Sequence, residues 1–245
     1  MGELKTVMKR NKRLFKAPLR IKESSCTIIS DKKIGFDLAR DSIRRNRVEL
    51  EKYCKENSLF LTSLESVHVT SCPLIVELMA KYGEEADVGP MASVAGVLAD
   101  LAVIDMKNGG CEVAVVENGG EVAAFSNVPI DVCLSAGDVS LSNRFGFRLC
   151  DFPIGVATSS GRFSHALSFG EAEAVTIFCK TAGLADAVAT AVCNVVKGKQ
   201  YNEAIELGIQ KGRSIPDVLG VLIIYHELIG TAGKIPKIIK INPDN

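Results

Sequence analysis

The sequence predicts an α+β fold in which antiparallel sheets are packed against helices. Three observations predict it: a tight hairpin signal at Glu117-Asn118-Gly119-Gly120 between two apolar runs, two helices of small residues at 92–108 and 182–197, and strand signals adjoining both helices. Two helices of one character, each with its own strands, suggest two duplicated halves with a site between them. With 245 residues, 47% of them hydrophobic, the chain can bury a large core. It reads as a single domain, 1–245, with residues 1–17 as a flexible or loosely packed basic arm.

After that arm, Leu19 and Ile21, then Thr27, Ile28 and Ile29, mark two short strands closed by the Asp31-Lys32-Lys33 turn. Phe36, Ala39, Ile43, Leu50, Tyr53 and Cys54 recur at helical spacing through a charged segment, which predicts an amphipathic helix with a solvated face. Val67 and Val69 alternate with polar residues, so 66–71 reads as a strand carrying His68 as a structural residue, and Pro73 opens a helix that ends at Gly83. A further helix runs from Asp87 to Asn108, with Val94, Val97, Leu98, Leu101 and Ile104 as its apolar stripe and Ser93, Gly96 and Asp100 on another face. Strands at 111–116 and 121–125 flank the hairpin turn, and 128–150 reads as irregular connection leading into a strand. Beyond 198, a helix is expected over 201–213, a buried strand over 218–225, a turn at 230–233 and a last strand over 234–241. His226, at the end of the buried run, is read as structural.

Composition narrows the function classes. Lys plus Arg equals Asp plus Glu at 29 each, so no global field draws the chain to nucleic acid or to an anionic membrane surface. No apolar run reaches the ~18 residues of a membrane-spanning helix, and the eight cysteines form no CxxC pair, so a structural zinc site is unsupported. These features predict a cytoplasmic protein with reduced thiols and a small-molecule partner.

The chemistry concentrates in 155–198. Thr158, Ser159, Ser160 and Gly161 place three hydroxyls and a permissive backbone in one turn, a composition suited to phosphate oxygens. His165 follows, either as a proton shuttle beside a phosphate or as a hydrogen-bonded core histidine. Thr181 is placed to cap a helix in which Asp186 and Thr190 lie four residues apart on one alanine-lined face. A carboxylate and a hydroxyl one turn apart offer oxygen ligands to a hard cation such as magnesium; the alternative is an acid favouring the helix dipole and a threonine bonded to its own helix.

The run Ala185 to Ala191, ADAVATA, resembles the A-D-A-[LV]-[AS]-T-A helix of ApbE-like proteins, the magnesium-dependent FAD:protein FMN transferases. The 158–161 turn with Ser164-His165 resembles their T-S-G … S-H segment. Asn118-Gly119-Gly120-Glu121 is similar to their N-x-G-G-D hairpin, and Asp87-Val88-Gly89 with Gly96 and Asp100 is similar to their helix entry. The resemblance covers about 85–198 and implies a tunnelling-fold-like architecture. It further implies FAD and magnesium as cofactors, with Asp186 and Thr190 as metal ligands. Asn118, Gly119, Gly120, Ser160, Gly161 and His165 would then adjoin the nucleotide, and His165 and Asp186 would serve catalysis. The implied reaction is attack on the FMN phosphorus by a hydroxyl of an acceptor protein, or by water, with AMP leaving.

The chain departs from the family pattern in several places. Ala95 stands where the family carries a lysine, Leu167-Ser168-Phe169-Gly170 replaces D-P-x-T-G, and Glu121 replaces an aspartate. These departures are similar to those of an uncharacterised ApbE-like sister family found chiefly in methanogenic archaea. They leave open a non-catalytic flavin- or nucleotide-binding protein, or an accessory factor in sulfide assimilation (cysteine and homocysteine biosynthesis), and they leave homo-oligomerisation open.

Overall fold

The structure, a computed structural model, describes residues 4–7, 14–134, 145–161 and 169–241. Twelve strands and six helices are placed among them: β1 (Leu4–Val7), β2 (Phe15–Ile21), β3 (Ser24–Ser30), α1 (Ile34–Glu56), α2 (Ser58–Thr62), α3 (Leu74–Ala86), α4 (Val94–Asn108), β4 (Val113–Asn118), β5 (Glu121–Ser126), β6 (Ile130–Leu134), β7 (Phe145–Leu149), β8 (Ile154–Ser159), β9 (Ala174–Cys179), α5 (Ala182–Val195), α6 (Tyr201–Ser214), β10 (Val218–Tyr225), β11 (Leu228–Gly233) and β12 (Lys237–Lys240).

Eight strands form one sheet in the order β11-β10-β9-β8-β5-β4-β3-β2, antiparallel throughout, and β1-β6-β7-β12 form a second antiparallel sheet. The large sheet carries α1, α4, α5 and α6 on one face. Its other face packs on the small sheet through Val113, Val122, Val156 and Phe178 against Ile130, Val132, Phe147 and Leu149. Covered on both sides, β4, β8, β9 and β10 read as nearly unbroken apolar runs, because a strand alternates polar and apolar residues only when one face meets water. The edge strand β2 does alternate.

Chain order and sheet order coincide. β2-β3-α1-α4-β4-β5 is followed along the sheet by β8-β9-α5-α6-β10-β11, a tandem ββααββ repeat. Within it α1 corresponds to α5 and α4 to α6, with α2, α3 and a 3-10 turn (Pro90–Ser93) inserted between α1 and α4. The two small-residue helices are therefore neighbours across the seam between the halves rather than equivalents of one another.

Several expectations change. Residues 66–70 form no strand; Val67 and Val69 instead lie against the helical core, which absorbs them without a ladder partner. The connection at 128–150 contains two strands, β6 and β7. The predicted turn at 230–233 belongs to β11, and the reversal falls at His226-Glu227, both in the left-handed region (φ 48 and 64). At the amino end, residues 4–7 pair with β6 and Phe15 already begins β2, so the expected arm contributes a strand to each sheet. No single helix among the described residues is long and apolar enough to cross a membrane.

Candidate functional site

Two helices meet at the seam, and each completes the other. The first amide groups of a helix have no partner within it and carry the positive end of its dipole, so a carboxylate is favoured there. Asp100, in the second turn of α4, accepts hydrogen bonds from the Ala182 and Gly183 amides at the start of α5 (2.9 and 2.8 Å). Asp186, in the second turn of α5, accepts from the Gly96 amide at the start of α4 (3.0 Å). Thr181, expected to cap α5, makes no side-chain cap, since Asp100 already holds those amides. Reciprocal capping requires close backbones, and a Cβ on Gly96 would lie 2.3 Å from the Ala182 carbonyl oxygen.

The β4–β5 hairpin closes the site from the sheet side. Asn118 donates from Nδ2 to the Ala95 carbonyl (3.0 Å) and accepts from the Cys26 thiol (3.3 Å), which fixes its amide and ties the hairpin to the entry of α4. Gly119 and Gly120 form the turn at φ 69 and 117, a conformation that favours glycine, and the Gly119 amide bonds to the Ser25 carbonyl. Glu121, the first residue of β5, lies near enough to Asp186 to feel its charge. Burial first, and then the Asp186 charge, push its carboxyl well above the usual range. Asp186 is likewise raised, by burial and by Asp100, against the lowering effect of the Gly96 and Ala95 amides. Neither acid has a basic partner among the described residues. Each is half-buried. Glu121 was legible in the sequence only as a departure from a motif; its meeting with Asp186 comes from strand order.

Thr190 stands one turn beyond Asp186 on α5 and is buried. Asn118 and Asp186 thus meet at the start of α4, with Glu121 at the foot of the hairpin and Thr190 one turn further along α5. The Ser160 hydroxyl and the Gly161 amide both donate to the Ala172 carbonyl (3.5 and 3.0 Å). His165 lies outside the described residues. Among the described residues no cluster of three or more His, Cys, Asp or Glu side chains is arranged to hold a metal, so any cation here would also draw on hydroxyl or main-chain oxygens.

Asp100 has a consequence for stability. Burial lifts its pKa to about 7, the two amide bonds opposing the rise. A carboxyl whose folded pKa exceeds its unfolded value binds more protons when folded, so its contribution is complete below about pH 4 and is lost as pH rises toward 7. Urea unfolding is expected to show stability falling from pH 4.5 to 7.5, Asp100 contributing on the order of 3 kcal/mol, and Asp100→Asn should flatten that part of the slope. An unchanged slope in the variant would assign the dependence elsewhere.

The family model described as AbpE bacteria matches residues 8–209. A UPF0280 protein of Methanocaldococcus jannaschii is 40% identical over 231 residues, covering 92% of this chain and 93% of that protein. A UPF0280 protein of Methanococcus vannielii is 38% identical over 232 residues, covering 93% and 94%. Among solved structures, the apbe protein of Thermotoga maritima aligns with a TM-score of 0.60 at 13% identity over 90% of this chain and 97% of that one. The apo form of the Pseudomonas stutzeri flavinyl transferase ApbE aligns with a TM-score of 0.57 at 14% identity over 90% and 94%. At such identities the structural likeness establishes the fold, a mixed helical and antiparallel-sheet architecture. The family model and the archaeal relatives together span nearly the whole chain, and the protein belongs to this family, among the UPF0280 proteins of the methanogens, as a divergent ApbE-like member.

Proposed function

We propose that the protein binds a flavin nucleotide, FAD, together with magnesium in the cleft where the start of α4 meets Asp186, Thr190 and the β4–β5 hairpin. The observation that carries this reading is the pair of Asp186 and Glu121, two carboxyls close enough to interact and with no basic partner among the described residues. Two like charges this close, each partly shielded from water, are costly unless a cation or a proton compensates them. The donors suit a hard cation: carboxylate and hydroxyl oxygens, without thiolate or imidazole among the described residues. Asp186 and Thr190 would hold it, with Glu121 beside them. Magnesium bound there would offset the charge that grows on phosphoryl oxygens during displacement at phosphorus.

The chain's own contribution is placement. The α4 amides orient Asp186, and Asn118 holds the Ala95 carbonyl at the rim of the cleft. The likeness to a flavinyl transferase supports FAD as the nucleotide and an acceptor hydroxyl, on a protein or on water, as the attacking group. Incubation with FAD and magnesium is expected to release AMP in proportion to enzyme. If FAD binds and no AMP appears with any acceptor, transfer is excluded and binding alone remains.

That second reading, a non-catalytic flavin-binding protein, is favoured by Ala95, which brings no ammonium group to the entry of α4. Thiol chemistry finds less support. Burial pushes Cys26 and Cys179 up to about 12, so both remain protonated and unreactive at neutral pH.

A further inference from the structure

The 158–161 turn presents three hydroxyls, and the structure separates their roles. Thr158 faces the small sheet and pairs hydroxyl to hydroxyl with Thr176 (3.0 Å). Ser160 donates to the Ala172 carbonyl. The Ser159 hydroxyl is buried, the residue being 6% exposed, and has no hydrogen-bond partner among the described residues. Leaving a buried hydroxyl unpaired costs free energy, so such a group in a folded protein calls for an explanation.

Its direction supplies one. Along β8, Val156 joins the core beneath the small sheet, whereas Ala157 joins the core beneath the helices. Gly155 also faces the helices, where a Cβ would meet the backbone of Thr181 and Ala182. Ser159 is in phase with Gly155 and Ala157, because side chains alternate along a strand. β8 and α5 run in the same direction, since Gly155 abuts the start of α5 while Gly161 abuts Gly170, which in turn abuts Cys193 near its end. Four residues of strand rise roughly 13 Å and eight residues of helix roughly 12 Å, which sets Ser159 level with Thr190. Antiparallel pairing of Val122 with Val156 carries Glu121 alongside Ala157, on the face that Ser159 shares. The unpaired hydroxyl thus lies on the helix-facing side of β8, level with Thr190 and on the same sheet face as Glu121.

We infer that Ser159, rather than Ser160 or Gly161, is the turn's direct contact with ligand, donating its hydroxyl hydrogen to a phosphate oxygen of the bound nucleotide. The inference rests on the flavin-nucleotide reading above. A neutral donor suits this place, because the nearby acids would neutralise an arginine or lysine, while a hydroxyl recognises a cation-bound phosphate without competing for the cation.

The test compares wild type, Ser159→Ala and Ser160→Ala by FAD titration at saturating magnesium chloride, by competition with inorganic pyrophosphate, and by thermal unfolding without ligand. Ser159→Ala is expected to weaken FAD and pyrophosphate roughly 5–30-fold, while its ligand-free Tm stays level or rises by a few degrees because an unsatisfied group has been removed. Ser160→Ala should lower the Tm and leave affinity nearly unchanged. Equal FAD affinity in wild type and Ser159→Ala overturns the inference. So does a Ser159→Ala protein that loses affinity and Tm together, since the hydroxyl is then structural, and so does failure of pyrophosphate to displace FAD from wild type. Absence of FAD binding to wild type itself removes the parent reading, and this inference with it.

Discussion

Gly96→Ala is expected to destabilise the protein by about 2–4 kcal/mol, although the same change in most helices is favourable. Alanine exceeds glycine in helix propensity by roughly 1 kcal/mol. Against that gain, a Cβ at residue 96 would lie 2.3 Å from the Ala182 oxygen, 2.5 Å from its carbonyl carbon and 2.7 Å from the Gly183 nitrogen. All three are backbone atoms that no rotamer change can move, so α4 and α5 must separate and both reciprocal caps lengthen. Overpacking of this kind typically costs about 1–3 kcal/mol, and the strained caps add to it. Gly109→Ala is the control, for its nearest atom is the flexible end of Leu38 at 2.3 Å; a loss below about 1 kcal/mol is expected. Equal destabilisation of the two variants in chemical denaturation would show that the close approach at the seam carries no cost of its own.

Asp186→Ala is expected to abolish the magnesium dependence of FAD binding. Loss of a residue that merely supports a metal ligand costs roughly 10–100-fold in affinity, so loss of a direct ligand should exceed ~100-fold. Folding should suffer far less. The substitution uncaps the Gly96 amide, at about 1 kcal/mol, but it also removes a buried charge next to Glu121. Calorimetric titration of magnesium chloride, with and without FAD, reads the first effect and ligand-free unfolding reads the second. A variant that keeps the wild-type response to magnesium would move the cation away from α5, and one that fails to fold would make Asp186 a structural cap above all.

Much of this architecture was legible from the order of residues. The hairpin at 117–120, the helices around 94–108 and 182–195 and the buried strands β9 and β10 follow from local chemistry: glycines at positive φ, periodicity of 3.6, and β-branched runs. The segment 128–150 read as irregular connection leading into a strand; β6 and β7 pair with each other there, while their outer partners, β1 and β12, lie more than 80 residues away. Val67 and Val69 alternate like a strand yet have no ladder, since alternation reports a half-buried extended segment whether or not a partner exists. The spacing of Asp186 and Thr190 pointed to one helical face. It could not show that Asp100 caps α5, that Glu121 comes within reach of the Asp186 charge, or that of three adjacent hydroxyls Ser159 alone lacks a partner among the described residues. Those facts depend on which strands and helices become neighbours, a property of the whole chain.

The exchange of carboxylates between α4 and α5 also bears on how a duplicated protein ages. Repeats that arise by copying can in principle be parted again, each folding as the ancestor did. Here the first half holds the acid that finishes the second half's helix, and the second half holds the acid that finishes the first's. Expressed apart, each fragment would keep a carboxyl with no amides to meet it and a helix start with no carboxyl. Each half completes a helix of the other.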